Sequence, residues 1–181
     1  SARNLAHARR ALQDITAEVV RADVTPLAGA LRVGGAALDR WPAEIARRVL
    51  LATLRWMGGA DHPVREHKLD RLRQSLGDRQ DATLGGLRFR WRNGACLIAR
   101  EPRAVAGPIP WNACRTRPWD GRWMLEGPSE PKVEIRALGV AGLRQCPDWA
   151  AHGPREALVV SPAIWADDRL IAAPLAGNPG P

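Results

Sequence analysis

Residues 83–101 couple a strand pattern to a turn, and together they leave little freedom in how this part of the chain folds. Leu87, Phe89 and Trp91 alternate with Arg88, Arg90 and Arg92, so an extended backbone puts three apolar groups on one face and three guanidiniums on the other. Asn93-Gly94 follows at once. A two-residue type I′ turn needs positive φ at both central positions, which these residues tolerate, so the strand is predicted to double back as a hairpin. That turn sets Trp91 against Cys96, Phe89 against Ile98 and Leu87 against Arg100, and it leaves Ala95, Leu97 and Ala99 beside the arginines. Side chains two apart lie about 6.7 Å from each other along a strand. The three arginines are therefore expected as a regular row of charge without carboxylate partners, suited to a polyanion.

Composition supports that reading. Of the 181 residues, 45% are hydrophobic and 25% charged, which suits one large or two small soluble domains with an adequate core. The formal net charge of +8 is carried almost wholly by arginine, since Lys68 and Lys132 are the only lysines. It is unevenly spread: residues 81–117 hold seven basic and two acidic side chains, and residues 118–181 hold six and eight. A nucleic-acid face is thus expected before Pro118. With no apolar run of membrane-spanning length and no leader pattern, the chain reads as soluble and cytoplasmic, without a membrane partner. It begins at Ser1, which reads as a piece of a longer protein.

Upstream of the hairpin the apolar spacing is helical. Ala8, Leu12, Ile15, Val19 and Ala22 recur at three- and four-residue steps, predicting a long first helix with one buried stripe, ended by Thr25-Pro26. Residues 27–33 read as a small strand or irregular segment closing at Gly34-Gly35. A second helix is predicted from near Pro42, with Ile45, Val49, Ala52 and Trp56 as its stripe and Gly58-Gly59 as its stop. Pro63 opens a third, with Leu69, Leu72 and Leu76 on one side and Gly77 at its end. Arg65 falls within that leucine stripe and in the first turn, where the helix dipole disfavours a cation. Either it snorkels past the leucines or pairs with a carboxylate, or it reaches a phosphate beside Lys68.

After the hairpin, residues 102–118 read as a basic connector, with Pro102, Pro108, Pro110 and Pro118 among Arg103, Arg115 and Arg117. Short strands are expected over 123–125, 132–137, 157–160 and 169–173, with a turn or two of helix over 139–146 and a hairpin turn at Asp167-Asp168. The fold class is α+β: a three-helix unit ending in a β-hairpin over residues 1–101, the connector, a small strand-rich domain over residues 119–176, and a flexible tail over 177–181.

Catalytic patterns are not evident. Ser129 and Ser161 lie in turn-like Gly-Pro-Ser and Ser-Pro contexts, and Gly34-Gly35, Gly58-Gly59 and Gly85-Gly86 lack the neighbouring Ser and Lys of a phosphate cradle. Cys96, Cys114 and Cys146 are odd in number and widely spaced, suggesting buried or semi-buried thiols in place of a disulfide framework or metal knuckle. His62, Glu66 and His67 are spaced one residue too long for an inverted zinc motif. No catalytic, cofactor-binding or metal-ligating residue is assigned. Of the eight tryptophans, Trp56, Trp91 and Trp123 sit in apolar patterns, whereas Trp111 and Trp119, in basic and Pro-rich surroundings, are candidates for stacking on bases.

Several short motifs carry a resemblance. Pro63-Val64-Arg65 with Leu69, Leu72 and Leu76, then Thr83-Leu84-Gly85-Gly86 and Ala99-Arg100-Glu101-Pro102, look like the C-terminal portion of bacterial tRNA(Ile)-lysidine synthase. Trp119-Asp120-Gly121-Arg122, Arg136-Ala137-Leu138-Gly139 and Ser161-Pro162-Ala163-Ile164-Trp165 resemble its alphaproteobacterial branch. The resemblance implies a parent ligase that uses ATP, with Mg, to adenylate the wobble cytidine of an isoleucine tRNA and then joins lysine to it. It also implies an N-terminal ATP domain with a Ser-Gly-Gly-x-Asp-Ser loop. That loop does not occur in these residues, so no catalytic residue carries over and this chain alone is expected to be inactive. Its implied partners are tRNA, which it would position, and the separate catalytic domain.

The residues expected to face RNA are Arg88, Arg90 and Arg92 on the hairpin, Arg65, Lys68 and Arg71 on the third helix, and Arg115 and Arg117 in the connector. Their expected role is phosphate contact that positions without reading bases. The alternative is a protein-interaction module, in which hairpin and connector dock an acidic partner or a separate catalytic domain.

Overall fold

A computed structural model describes residues 1–58, 64–127 and 132–180, apart from the side chain of Arg115. Gly59, His62, Pro63, Ser129 and Pro181, named above as a helix stop, a metal-motif histidine, a helix opener, a turn serine and part of the tail, lie outside the described residues.

The chain opens with α1 (Ala2–Asp23), the hairpin β1 (Val24–Leu27) and β2 (Ala30–Gly34), and the helices α2 (Gly35–Arg40), α3 (Ala43–Gly58) and α4 (Glu66–Gly77). Then come β3 (Ala82–Leu84), β4 (Leu87–Arg92) and β5 (Ala95–Arg100). These five strands make one antiparallel sheet in the order β1-β2-β5-β4-β3. Pro26 sits in β1, an edge strand, where its missing N–H breaks no ladder. The predicted hairpin register is the one found, with Trp91 opposite Cys96, Phe89 opposite Ile98 and Leu87 opposite Arg100. Asn93 and Gly94 both have positive φ, 49° and 74°. The hairpin is nevertheless not a free ribbon, because β5 is the middle strand and all six of its residues are buried.

One face of this sheet carries Leu87, Phe89, Cys96 and Ile98 into a core closed by Ile45, Val49, Leu54 and Met57 of α3 and by Leu69, Leu72 and Leu76 of α4. Three helix expectations are corrected here. No residue of α1 is buried: Leu12 and Val19 pack partly against the core, Ile15 is exposed, and the first eleven residues stand in solvent. The buried stripe of α3 runs through Leu50, Thr53, Leu54 and Met57, which leaves Ala52 and Trp56 outside. Apolar residues on several sides of residues 49–57 let two stripes share Ile45 and Val49, and packing chose the other one. Arg65 is the extended N-cap of α4 and exposed, so it never enters the leucine stripe.

The second half forms an antiparallel sheet of β6 (Ile109–Pro110), β7 (Glu134–Ala137), β8 (Pro162–Ala166) and β9 (Arg169–Ala172), in that order. Short helices α5 (Gly139–Leu143) and α6 (Arg155–Leu158) accompany it. The fold is α+β, as expected. The Asp167-Asp168 turn joins β8 to β9, and α5 lies where a helical turn was predicted. Residues 157–160, read as a strand, belong instead to α6 and the turn after it. A short apolar run buried on several sides carries no periodicity to separate the two. Residues 123–125 form no strand, only a bridge between Trp119 and Trp123. The residues read as a connector contain β6 and bury Trp111 and Cys114 in a core with Trp119, Val133 and Ile135. Ala173 pairs with Asn178, so the residues following β9 fold back on themselves. All three cysteines are free and buried, and burial pushes the Cys96 thiol up to about 12, where it stays protonated at neutral pH.

Candidate nucleic-acid interface

The arginine face of the first sheet is also the face on which the two halves meet. Ala30, Leu97 and Ala99 are buried there against Ala157 of α6, with Ala28 packed beside them. Gly29, with φ at 83°, sits beneath the indole of Trp123; a β-carbon there would come within 2.5 Å of the ring. The Trp119-Asp120-Gly121-Arg122 motif lies at this junction. Asp120 accepts hydrogen bonds from Nε and Nη2 of Arg100 (3.0 and 2.8 Å), from Nη2 of Arg122 (3.2 Å) and from the Ala106 amide (3.0 Å). Arg100 donates further to the Gly58 and Ala104 carbonyls, and Arg122 to the Gly29 carbonyl. Burial pulls the Arg122 guanidinium below its ordinary pKa, and Asp120 opposes that pull. The motif holds two guanidiniums around one carboxylate out of water, and so its role is structural.

Around the seam stand the hairpin arginines. Arg88 is half-buried opposite Ala99, Arg90 lies opposite Leu97, and Arg92 is exposed at the end of β4. The expectation of a row without carboxylates is corrected by Asp81. Its carboxylate accepts the Trp91 amide at 2.8 Å and Nη1 of Arg90 at 2.7 Å, and Arg92 lies 3.8 Å away. The Trp91 amide and then Arg90 hold the Asp81 carboxyl below the usual range. Asp81 escaped the reading because it reaches β4 from beside β3, a strand too short to announce itself. Arg32 was also missed. It lies across β5 from Arg90, both flanking Leu97, and is exposed with no ion-pair partner among the described residues. Its signal was present as the alternation Leu31, Arg32, Val33.

The other predicted residues lie elsewhere. Lys68 and Arg71 are exposed on α4, Lys68 at the border of the stripe of Leu69, Leu72 and Leu76 and Arg71 turned away from it, both in the helical layer. Hairpin and helix cations therefore occupy opposite sides of the sheet. Arg117 is exposed past the helical turn Trp111–Arg115. Trp111 and Trp119, candidates for base stacking, are buried at 4% and 1% exposure, and Trp119 donates its indole N–H to the Gly107 carbonyl at 3.0 Å. Neither ring has a free face. The exposed tryptophan is Trp56.

On α3, Glu44 accepts hydrogen bonds from Arg47 and Arg48 at 2.8 and 2.7 Å. Arg47 and then Arg48 lower its pKa from 4.5 to about 2. Because the folded value is the depressed one, the pair's contribution is present above about pH 4.5 and lost as the pH falls toward 2. Carboxyl-detected NMR titration is expected to place the Glu44 midpoint at about 2; an unshifted midpoint would mean that the two arginines do not hold it in solution.

The chain is 38% identical over 184 aligned positions to a tRNA(Ile)-lysidine synthase of Ruegeria pomeroyi, an alignment that takes in 97% of this chain. The chain is related to the C-terminal portion of tRNA(Ile)-lysidine synthase. It spans 42% of that relative's length. No protein-family profile matches it, and no solved structure does. Among the described residues, no helix is long and apolar enough to cross a membrane. The buried Arg100, Asp120 and Arg122 belong to two of the short motifs that carried the resemblance to lysidine synthases.

Proposed function

We infer that this chain positions tRNA for a lysidine synthase whose ATP chemistry resides in another domain. The observation that carries the reading is the 38% identity to a tRNA(Ile)-lysidine synthase along nearly the whole chain. An arginine-rich surface supports it. Arg32, Arg88, Arg90 and Arg92 line one face of the sheet, Arg65 caps α4 and Lys68 and Arg71 stand on it, and Arg117 is exposed after the hairpin. In this reading residues 1–101 form the RNA-positioning unit, residues 102–118 lead from it into a second small unit over residues 119–176, to whose sheet and core they add β6, Trp111 and Cys114, and ATP, Mg and lysine belong to the parent enzyme. The side chains contact phosphates, which fixes register without selecting sequence. Holding a large substrate in place supplies much of a rate by itself, so a separate positioning unit is chemically sensible.

The test is tRNA binding by the 181-residue chain as a function of salt. Replacing Arg88, Arg90 and Arg92 with alanine is expected to weaken binding and to lower the slope of log K against log salt by about two, at roughly 0.7–0.9 for each phosphate no longer neutralised. Circular dichroism should stay unchanged, since surface ion pairs such as Arg90–Asp81 contribute at most about 1 kcal/mol. An unaltered slope would remove the hairpin from the interface. Absence of tRNA binding by the parent chain, with tight binding to a separately expressed ATP domain, would replace RNA positioning with protein docking.

A further inference from the structure

A groove of about 620 Å³ runs between α1 and α3 on the side of α3 facing away from the sheet. Arg9 and Arg21 from α1 and Arg47, Arg48 and Arg55 from α3 line it, over a floor of small and apolar side chains. The two helices run antiparallel, since Asp23 at the end of α1 accepts hydrogen bonds from Arg40 and Trp41 just ahead of α3. Arg21 thus lies toward Arg47 and Arg48, and Arg9 toward Arg55. Glu44 partly neutralises Arg47 and Arg48, and Arg47 also feels Glu66 and Asp70 of α4. Arg9, Arg21 and Arg55 have no ion-pair partner among the described residues.

Like charges crowded into one groove repel each other, and an anion lying along it relieves that repulsion. From Arg9 to Arg21 the helix rises about 18 Å, so the charge is drawn out in a line, as a strand of phosphates is and a single small anion is not. Trp56 adds a second observation. It is 58% exposed, and it lies one turn from Ala52 in the groove wall. A large aromatic left in water beside a line of guanidiniums is the combination that stacks an unpaired base while its backbone is held.

We propose that the α1/α3 groove is a second RNA-binding surface, on the far side of the molecule from the hairpin arginines, which grips the backbone of an unpaired RNA segment and stacks one of its bases on Trp56. The proposal rests on the RNA-positioning reading and adds a site to it. Guanidiniums suit phosphate through paired N–H donors. The flat ring of Trp56 favours a nucleic acid over an acidic protein.

Three versions of the 181-residue chain are compared by titration with tRNA and with poly-L-glutamate of matched charge: the parent, Arg9/Arg21/Arg55→Gln, and Trp56→Ala. The triple variant is expected to lose at least about tenfold in tRNA affinity at 0.1 M salt and to lower the salt slope by about two. Trp56→Ala is expected to lose several-fold with an unchanged slope, because stacking releases no counterions. All substituted side chains lie on exposed helix surface, and unchanged circular dichroism confirms that the fold persists. Parent-level tRNA binding by both variants, while Arg88/Arg90/Arg92→Ala is weakened, overturns the groove and leaves the positioning reading standing. A parent chain that binds no tRNA overturns both. Poly-L-glutamate bound as tightly as tRNA, and lost in the triple variant, assigns the groove to an acidic protein and overturns the RNA proposal.

Discussion

Replacing Asp120 with alanine is expected to cost about 3–5 kcal/mol, as measured by urea unfolding. Its side chain and those of Arg100 and Arg122 are each at most 6% exposed, so removing the carboxylate strands two guanidiniums where water does not reach. Both keep hydrogen bonds to carbonyls, but carbonyl dipoles do not cancel a net charge. The loss is a large fraction of the whole stability of a typical domain, about 5–15 kcal/mol. It should also reach both halves, because Arg100 belongs to β5 and Arg122 donates to the Gly29 carbonyl in the β1–β2 turn. Asp120→Asn keeps the shape and part of the hydrogen bonding, and asparagine tolerates the φ of 51° found there, so its cost should fall between wild type and alanine. A loss below about 1 kcal/mol for Asp120→Ala would mean that water or a shifted carboxylate screens the cluster.

Phe89→Ala is expected to be equally severe, at about 3–5 kcal/mol. Phe89 is fully buried in the middle of β4, opposite Ile98 and within the core shared with α3 and α4. The cavity left cannot collapse easily, because a sheet on one side and two helices on the other fix its walls. Trp56→Ala, although it removes a larger side chain, should change stability by about 0.5 kcal/mol or less, since the ring is mostly in solvent. Opposite ranking of the two variants would place α3 in the rotation first expected from its sequence, with Trp56 inside.

How far the sequence could be read depended on how many independent signals met at each element. The hairpin had three, an alternation, an Asn-Gly turn and a matched return strand, and its register is found residue for residue. The leucines of α4 had a clear period and are buried together. By contrast, α3 is apolar over more than one side between Val49 and Met57, so periodicity left its rotation open and Trp56 fell on the wrong side. The charge row was read from one strand alone. Asp81, which neutralises part of it, arrives from just ahead of β3, and Arg32, which extends it, from β2, and both neighbours are set only by pairing in three dimensions. Local pattern likewise gave no means of seeing that Trp111 and Trp119 are buried, because their basic and Pro-rich surroundings describe the exposed side of a segment whose other side packs.

Beside Leu97, much of the contact between the halves is made by Ala28, Ala30, Ala99 and Ala157, with Gly153 close enough to Ala28 that a β-carbon on it would come within 2.8 Å. Groups this small bring two backbones near each other and leave no spare volume. Every added methylene at those positions acts as a shim, prising Arg100 and Arg122 away from their shared counterion. Divergence in this lineage should therefore be slowest at its least conspicuous side chains, and an alanine there is as restrictive a choice as a tryptophan elsewhere.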